Sequence, residues 1–143
     1  MSLSKLILPP EPDLLIEAFP DADPGMRPLG ARVLVQIRTP KSRSKGGIIL
    51  HDATKETEQW NTQVAKVIAL GAVAFSNRDT LKMWPEGQWC KPGDYVRVPK
   101  YGGDRWQVPL EGREGEYALF TLFKDLDIIG QITGDPLAVV AFI

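Results

Sequence analysis

At 143 residues and 15.9 kDa the chain has room for one ordinary domain with a buried core, and 43% apolar with 24% charged residues is the balance of a folded protein. A net charge of −1 excludes a global field that would steer the chain to nucleic acid or to an acidic membrane surface. The single cysteine, Cys90, excludes an internal disulfide and a multi-cysteine zinc cluster, and the expected setting is a reducing cytoplasm.

Residues 1–26 form a compositional unit of their own, an acidic arm that holds five of the 12 prolines. One Lys (Lys5) faces Glu11, Asp13, Glu17, Asp21 and Asp23. Pro9-Pro10-Glu11 cuts the run Leu6-Ile7-Leu8 too early for a secretory signal, and no apolar run approaches the ~20 residues of a membrane span. Leu14, Leu15, Ile16 and Phe19 give the arm two options, to dock on the body as a short helical turn or to stay mobile.

Residues 27–143 read as the body. The 13 glycines and 12 prolines favour short strands and many turns. Val33, Val35 and Ile37 alternate with Arg32, Gln36 and Arg38, which predicts a half-buried strand that stops at Thr39-Pro40. Thr62 to Leu70 is a β-branched run closing at Gly71. Between them lies a long connection, 41–58, and a connection of more than ~15 residues without structure of its own is more often functional than idle.

In residues 72–90, Trp84-Pro85-Glu86-Gly87 has the Pro and Gly placement of a type I turn and predicts a hairpin between Leu81–Trp84 and Trp89-Cys90. Lys91-Pro92-Gly93-Asp94 carries the type II signature and leads into a strand at Tyr95–Val98. A turn at Lys100–Asp104 comes next, and strands are expected after it at Trp106–Val108 and Tyr117–Leu122. One helical turn follows at Lys124–Ile129, then an extended tail with an apolar extension at 134–143. Short strands separated by turn chemistry predict an all-β fold, a small β-barrel.

Enzymatic chemistry has little to stand on. His51 and Cys90 are the only residues of their kinds and lie in different segments, so a nucleophilic dyad has no support from spacing. Neither phosphate-cradling glycine motif occurs. Asp125 and Asp127 sit at a helix start, where capping accounts for them. The basic run Lys41-Ser42-Arg43-Ser44-Lys45 lacks interleaved aromatics and is followed by Asp52, Glu56 and Glu58, which fits a solvated loop better than a phosphate contact.

The stretch Gly46-Gly47-Ile48-Ile49-Leu50 sits within that connection and has two readings: a short strand of the barrel, or an anchor that orders against a partner. Burying three such side chains contributes roughly 5–8 kcal/mol. Ordering about ten flexible residues costs on the order of 10 kcal/mol. One such anchor binds weakly, whereas several presented together gain ~10²-fold or more through avidity.

Five elements occur in one order: Arg27-Pro28-Leu29-Gly30-Ala31-Arg32-Val33-Leu34-Val35, the GGIIL at 46–50, Lys91-Pro92-Gly93-Asp94-Tyr95-Val96, Lys100-Tyr101-Gly102-Gly103, and Tyr117-Ala118-Leu119-Phe120 with Asp127-Ile128-Ile129. In this order they resemble the GroES co-chaperonin family, and the likeness covers most of 27–132. It implies a GroES-like barrel subunit, with a long mobile loop and a roof hairpin, that assembles into a homo-oligomeric, seven-membered dome. It also implies that Gly46, Gly47, Ile48, Ile49 and Leu50 dock on the apical domain of an ATP-bound GroEL-type chaperonin. The dome then closes a chamber around an unfolded client, with no catalytic residue, cofactor or metal in this chain, no membrane or nucleic-acid partner, and ATP hydrolysis left to the partner ring. In the family the first core strand pairs with a neighbour's C-terminal strand, which here implies Arg32–Ile37 against part of Ile128–Val140.

Three features depart from the family pattern. The roof segment carries Phe75, Met83, Trp84 and Trp89 where glycine and polar residues are usual, and its bulky groups are expected to pack on the barrel rather than face a client. The arm at 1–26 and the tail Gly134–Ile143 both exceed the usual length, and an apolar tail is expected to pair with a neighbouring subunit or to cover the barrel. Additions of this kind resemble the co-chaperonins of some large bacteriophages, which would place the protein in a host's cytoplasm with a capsid protein as one favoured client. The competing readings are a structural or nucleic-acid-binding barrel that uses the basic run, and a fragment of a zinc-dependent dehydrogenase, which lacks both its metal ligands and its dinucleotide domain here.

Overall fold

The computed structural model describes residues 12–39 and 63–139. Helix α1 (Pro12–Ala18) is followed by strands β1 (Arg32–Ile37), β2 (Val64–Leu70), β3 (Tyr95–Arg97), β4 (Asp104–Pro109) and β5 (Tyr117–Lys124), a 3₁₀ turn at Asp125–Asp127, and β6 (Gly130–Gln131). The expected all-β fold is present as one six-stranded antiparallel sheet in the order β4-β5-β1-β2-β3-β6.

Alternation along β1 builds two packed faces. Val33, Val35 and Ile37 join Ala65, Val67, Val96, Val98, Phe123 and Ile128 in the main core, while Leu34 turns to the opposite face with Ala118 and Phe120. On β2 the register slips: Leu34 pairs with Ala69 and Val35 with Val67, leaving Ile68 as the extra residue of a bulge. Ile68 and Ala69 therefore both pack on the Leu34 side, and Leu70 returns to the main core.

Gln36 departs from the expected solvent face. It is buried, and its Nε2 donates to the carbonyl of Pro20 at 2.6 Å. The cover comes from the arm, whose docked option is the one the chain adopts. Phe19 and Ala18 are buried with Val64, and the indole Nε1 of Trp106 donates to the Pro24 carbonyl at 2.9 Å. The tail packs on the same patch through Leu137 and Val139, so as far as Val139 it covers the body.

Two expectations need correction. β1 bonds to β2 on one side and to β5 on the other along its length, so Arg32–Ile37 has no open edge for a neighbour's strand. Of the two segments named for that pairing, only Ile128–Val140 reaches an edge of the described sheet, through β6. The hairpin, too, turns elsewhere than at Pro85. Ser76 bridges Met83, Asn77 N–H donates to the Lys82 carbonyl at 2.7 Å, and Trp84 N–H donates to Phe75 at 2.9 Å. The tip is thus Asn77–Lys82, nucleated by Asn77, whose Oδ1 accepts the N–H groups of Asp79 (2.9 Å) and Thr80 (3.1 Å). The Pro85 turn does form, with Gly87 N–H donating to Trp84 at 2.7 Å, but it follows the hairpin.

The type II turn at Lys91–Asp94 matches its sequence signature: Asp94 N–H donates to the Lys91 carbonyl at 3.0 Å and Gly93 has φ +95°.

Candidate functional site

Gly46, Gly47, Ile48, Ile49 and Leu50 lie outside the described residues, as do the basic run Lys41–Lys45 and His51. The structure does give the two roots from which the connection springs. β1 and β2 are antiparallel neighbours, with Ile37 opposite Ala65, and Arg38 N–H adds a further rung to the Val64 carbonyl at 3.0 Å. The chain leaves the described body at Thr39 and returns at Gln63.

Each root is held by a different part of the molecule. Thr39 N–H donates to the Ala18 carbonyl at 2.8 Å, which ties the outgoing root to the end of α1. The Gln63 carbonyl accepts Val98 N–H at 2.8 Å, and its Oε1 accepts an Arg97 guanidinium N–H at 3.3 Å, which ties the returning root to β3. Next to it Val64 is buried against Ala18 and Phe19.

The segment expected as a roof presents two kinds of apolar residue. Phe75 is fully buried, Trp84 and Trp89 pack on the core beside it, and the three rings lie 5.0–5.8 Å apart. For these the packed expectation holds. Met83, together with Leu81 at the hairpin tip, is instead exposed. Phe75 and Leu81 both adopt left-handed backbone, with φ of +62° and +59°. Asp125, which the sequence suggested as a capping acid, is buried and accepts Phe75 N–H at 2.9 Å. An open cleft of about 480 Å³ lies between this segment and β6, lined by Trp89, Leu126, Ile128 and Ile129 among others.

Cys90 makes a poor nucleophile. Burial, reinforced by the charge of Asp94, pushes its thiol up to about 11, so it is neutral at ordinary pH. Among the described residues no group of three His, Cys, Asp or Glu side chains is placed to hold a metal ion.

The sequence model of the family described as "Chaperonin 10 Kd subunit" matches residues 25–132, which spans every strand of the sheet. This chain belongs to the chaperonin 10 kDa subunit family. Curated relatives of this chain carry the name "Co-chaperonin GroES". The one from Methylacidiphilum infernorum is 36% identical over 112 residues, covering 78% of this chain and 98% of the relative. The one from Clostridium botulinum is 35% identical over 109 residues, covering 76% and 98%. The chaperonin 10 kDa subunit described here is therefore a co-chaperonin, a non-enzymatic role that implies a GroEL-type chaperonin as partner. α1 and the tail beyond Ile132 fall outside the matched span.

Proposed function

We propose that this co-chaperonin forms a ring, heptameric as the family resemblance implies, that caps an ATP-bound GroEL-type chaperonin and encloses a client protein for folding. Gly46 and Gly47 permit the turn, and Ile48, Ile49 and Leu50 seat in apolar sites of the apical domains. What carries the reading is the family match over 25–132, which includes the GGIIL stretch in a connection between two neighbouring strands. Three aliphatic side chains per subunit give a weak contact, and repetition around a ring converts it into a tight one. ATP hydrolysis stays with the partner, and the assembly works in the cytoplasm, or in a host's cytoplasm for a phage-borne copy.

Replacing Ile49 with Asp tests the anchor. The variant is expected to keep its oligomeric state and lose ATP-dependent capping, measured as client refolding in the presence of the chaperonin. Refolding that proceeds as with the wild type would overturn the assignment.

A further inference from the structure

The two segments outside the family match meet at one place. From the N-terminal side come Leu15, Ala18 and Phe19; from the C-terminal side come Leu137 and Val139; both sets share one apolar cluster with Val64, Tyr95 and Ile132 of the body. Phe19 stands edge-on to Tyr95 with ring centroids 5.1 Å apart and is only 4% exposed. The tail is shaped for the same contact by Asp135, whose carboxylate accepts Leu137 N–H at 2.9 Å and whose carbonyl accepts Ala138 N–H at 3.0 Å.

This satellite core sits on the roots of the connection. Ala18 accepts the N–H of Thr39, the last described residue before it, and Val64 is the second described residue after it. Pro20, next along the arm, accepts from the buried amide of Gln36 on the same strand as the outgoing root. The pairing of β1 and β2 already fixes the spacing of the roots, so packing added on both their flanks bears on what the pairing leaves free: their direction and fraying.

We propose that α1 and the C-terminal tail form a clamp on these two roots, and that Phe19 and Leu137 are positioning residues for the chaperonin contact. The inference rests on the reading that the connection binds the chaperonin. A clamped root loses less conformational freedom when the connection engages its partner, so the clamp raises affinity without touching the partner.

The full-length chain with Phe19→Asp is compared with wild type by amide hydrogen exchange and by ATP-dependent binding to a purified GroEL-type ring. Faster exchange at Thr39 and Arg38 is expected, with Trp84 in the hairpin unchanged, together with an affinity about 10-fold weaker and an unaltered oligomeric state. Phe19→Leu should restore most of both. Leu137→Ala repeats the test from the tail side and covers a failure of Phe19→Asp to fold. Unchanged exchange at Thr39 overturns the clamp, and faster exchange with wild-type affinity overturns its positioning role. Ile49→Asp separates the two readings: if that variant binds as wild type, the anchor reading falls, and the clamp stands or falls on Thr39 exchange alone.

Discussion

Asp125 holds Phe75 by its backbone: the carboxylate accepts the Phe75 N–H at 2.9 Å, fifty positions away in the chain. Its other oxygen accepts Leu126 N–H at 2.8 Å, and the exposed Arg78 stands at 3.7 Å. Phe75 has φ +62°, a costly conformation for an aromatic residue, and it is kept there by this bond and by the rings of Trp84 and Trp89.

Asp125→Ala is expected to lower stability by about 3 kcal/mol, because it leaves a buried N–H without a partner. Asp125→Asn, which keeps an acceptor of the same shape, should cost less. Arg78→Ala should cost under ~1 kcal/mol, as solvent screens that ion pair. Urea denaturation followed by tryptophan fluorescence ranks the three.

At the hairpin tip the same backbone conformation has no such support. Leu81 has φ +59° and is 63% exposed, so it stores strain while burying little. Leu81→Asn is expected to stabilise the protein by about 1 kcal/mol, since Asn tolerates the left-handed region. A shift of the urea midpoint to higher concentration checks it.

Much of this fold is legible in the sequence, and the reasons are local. Val33, Val35 and Ile37 announce β1 by alternation, Lys91-Pro92-Gly93-Asp94 announces its turn, and Leu15 and Phe19 mark the arm as able to dock. What could not be read depends on contacts distant in the chain. Gln36 looks like a surface residue until Pro20 covers it, and Asp125 looks like a cap until the hairpin arrives. The hairpin tip is hard to place from sequence because Pro85 is a louder turn signal than Asn77, though Asn77 with Asp79 and Thr80 after it carries the Asx-turn chemistry. The family resemblance misled on one point by assigning β1 an open edge, and only the pairing of β5 with β1 removes it. Of the proposed contact the sequence offers the candidate residues, Gly46 to Leu50, and the structure supplies the roots of their connection.

Cys90 gives a pH prediction. Its folded thiol titrates at about 11 against an ordinary value of 9.0. Between these values the unfolded chain releases a proton that the folded chain retains, so unfolding gains as pH rises. The contribution of Cys90 is fully present below pH 9 and is lost through pH 11. Cys90→Ser should flatten the fall in stability over that window, measured by denaturation at successive pH values. At pH 7.5 the native thiol should react with a disulfide reagent far more slowly than the unfolded one.

Gly71 is held close to backbone on two sides. Its N–H donates to the Arg32 carbonyl at 2.8 Å, and a Cβ there would collide with the carbonyl of Gly30. The obstacle is main chain and has no rotamer to yield. Gly71→Ala is expected to cost about 2–3 kcal/mol, on the scale of overpacking, and thermal unfolding measures it.

The central claim is that this chain caps a chaperonin. Its most direct test is co-sedimentation of the full-length protein with a purified GroEL-type ring, with and without ATP. The account predicts that the protein travels with the ring when ATP is present and is left behind when it is withheld. Failure to travel with the ring in either condition, or equal association in both, would contradict it.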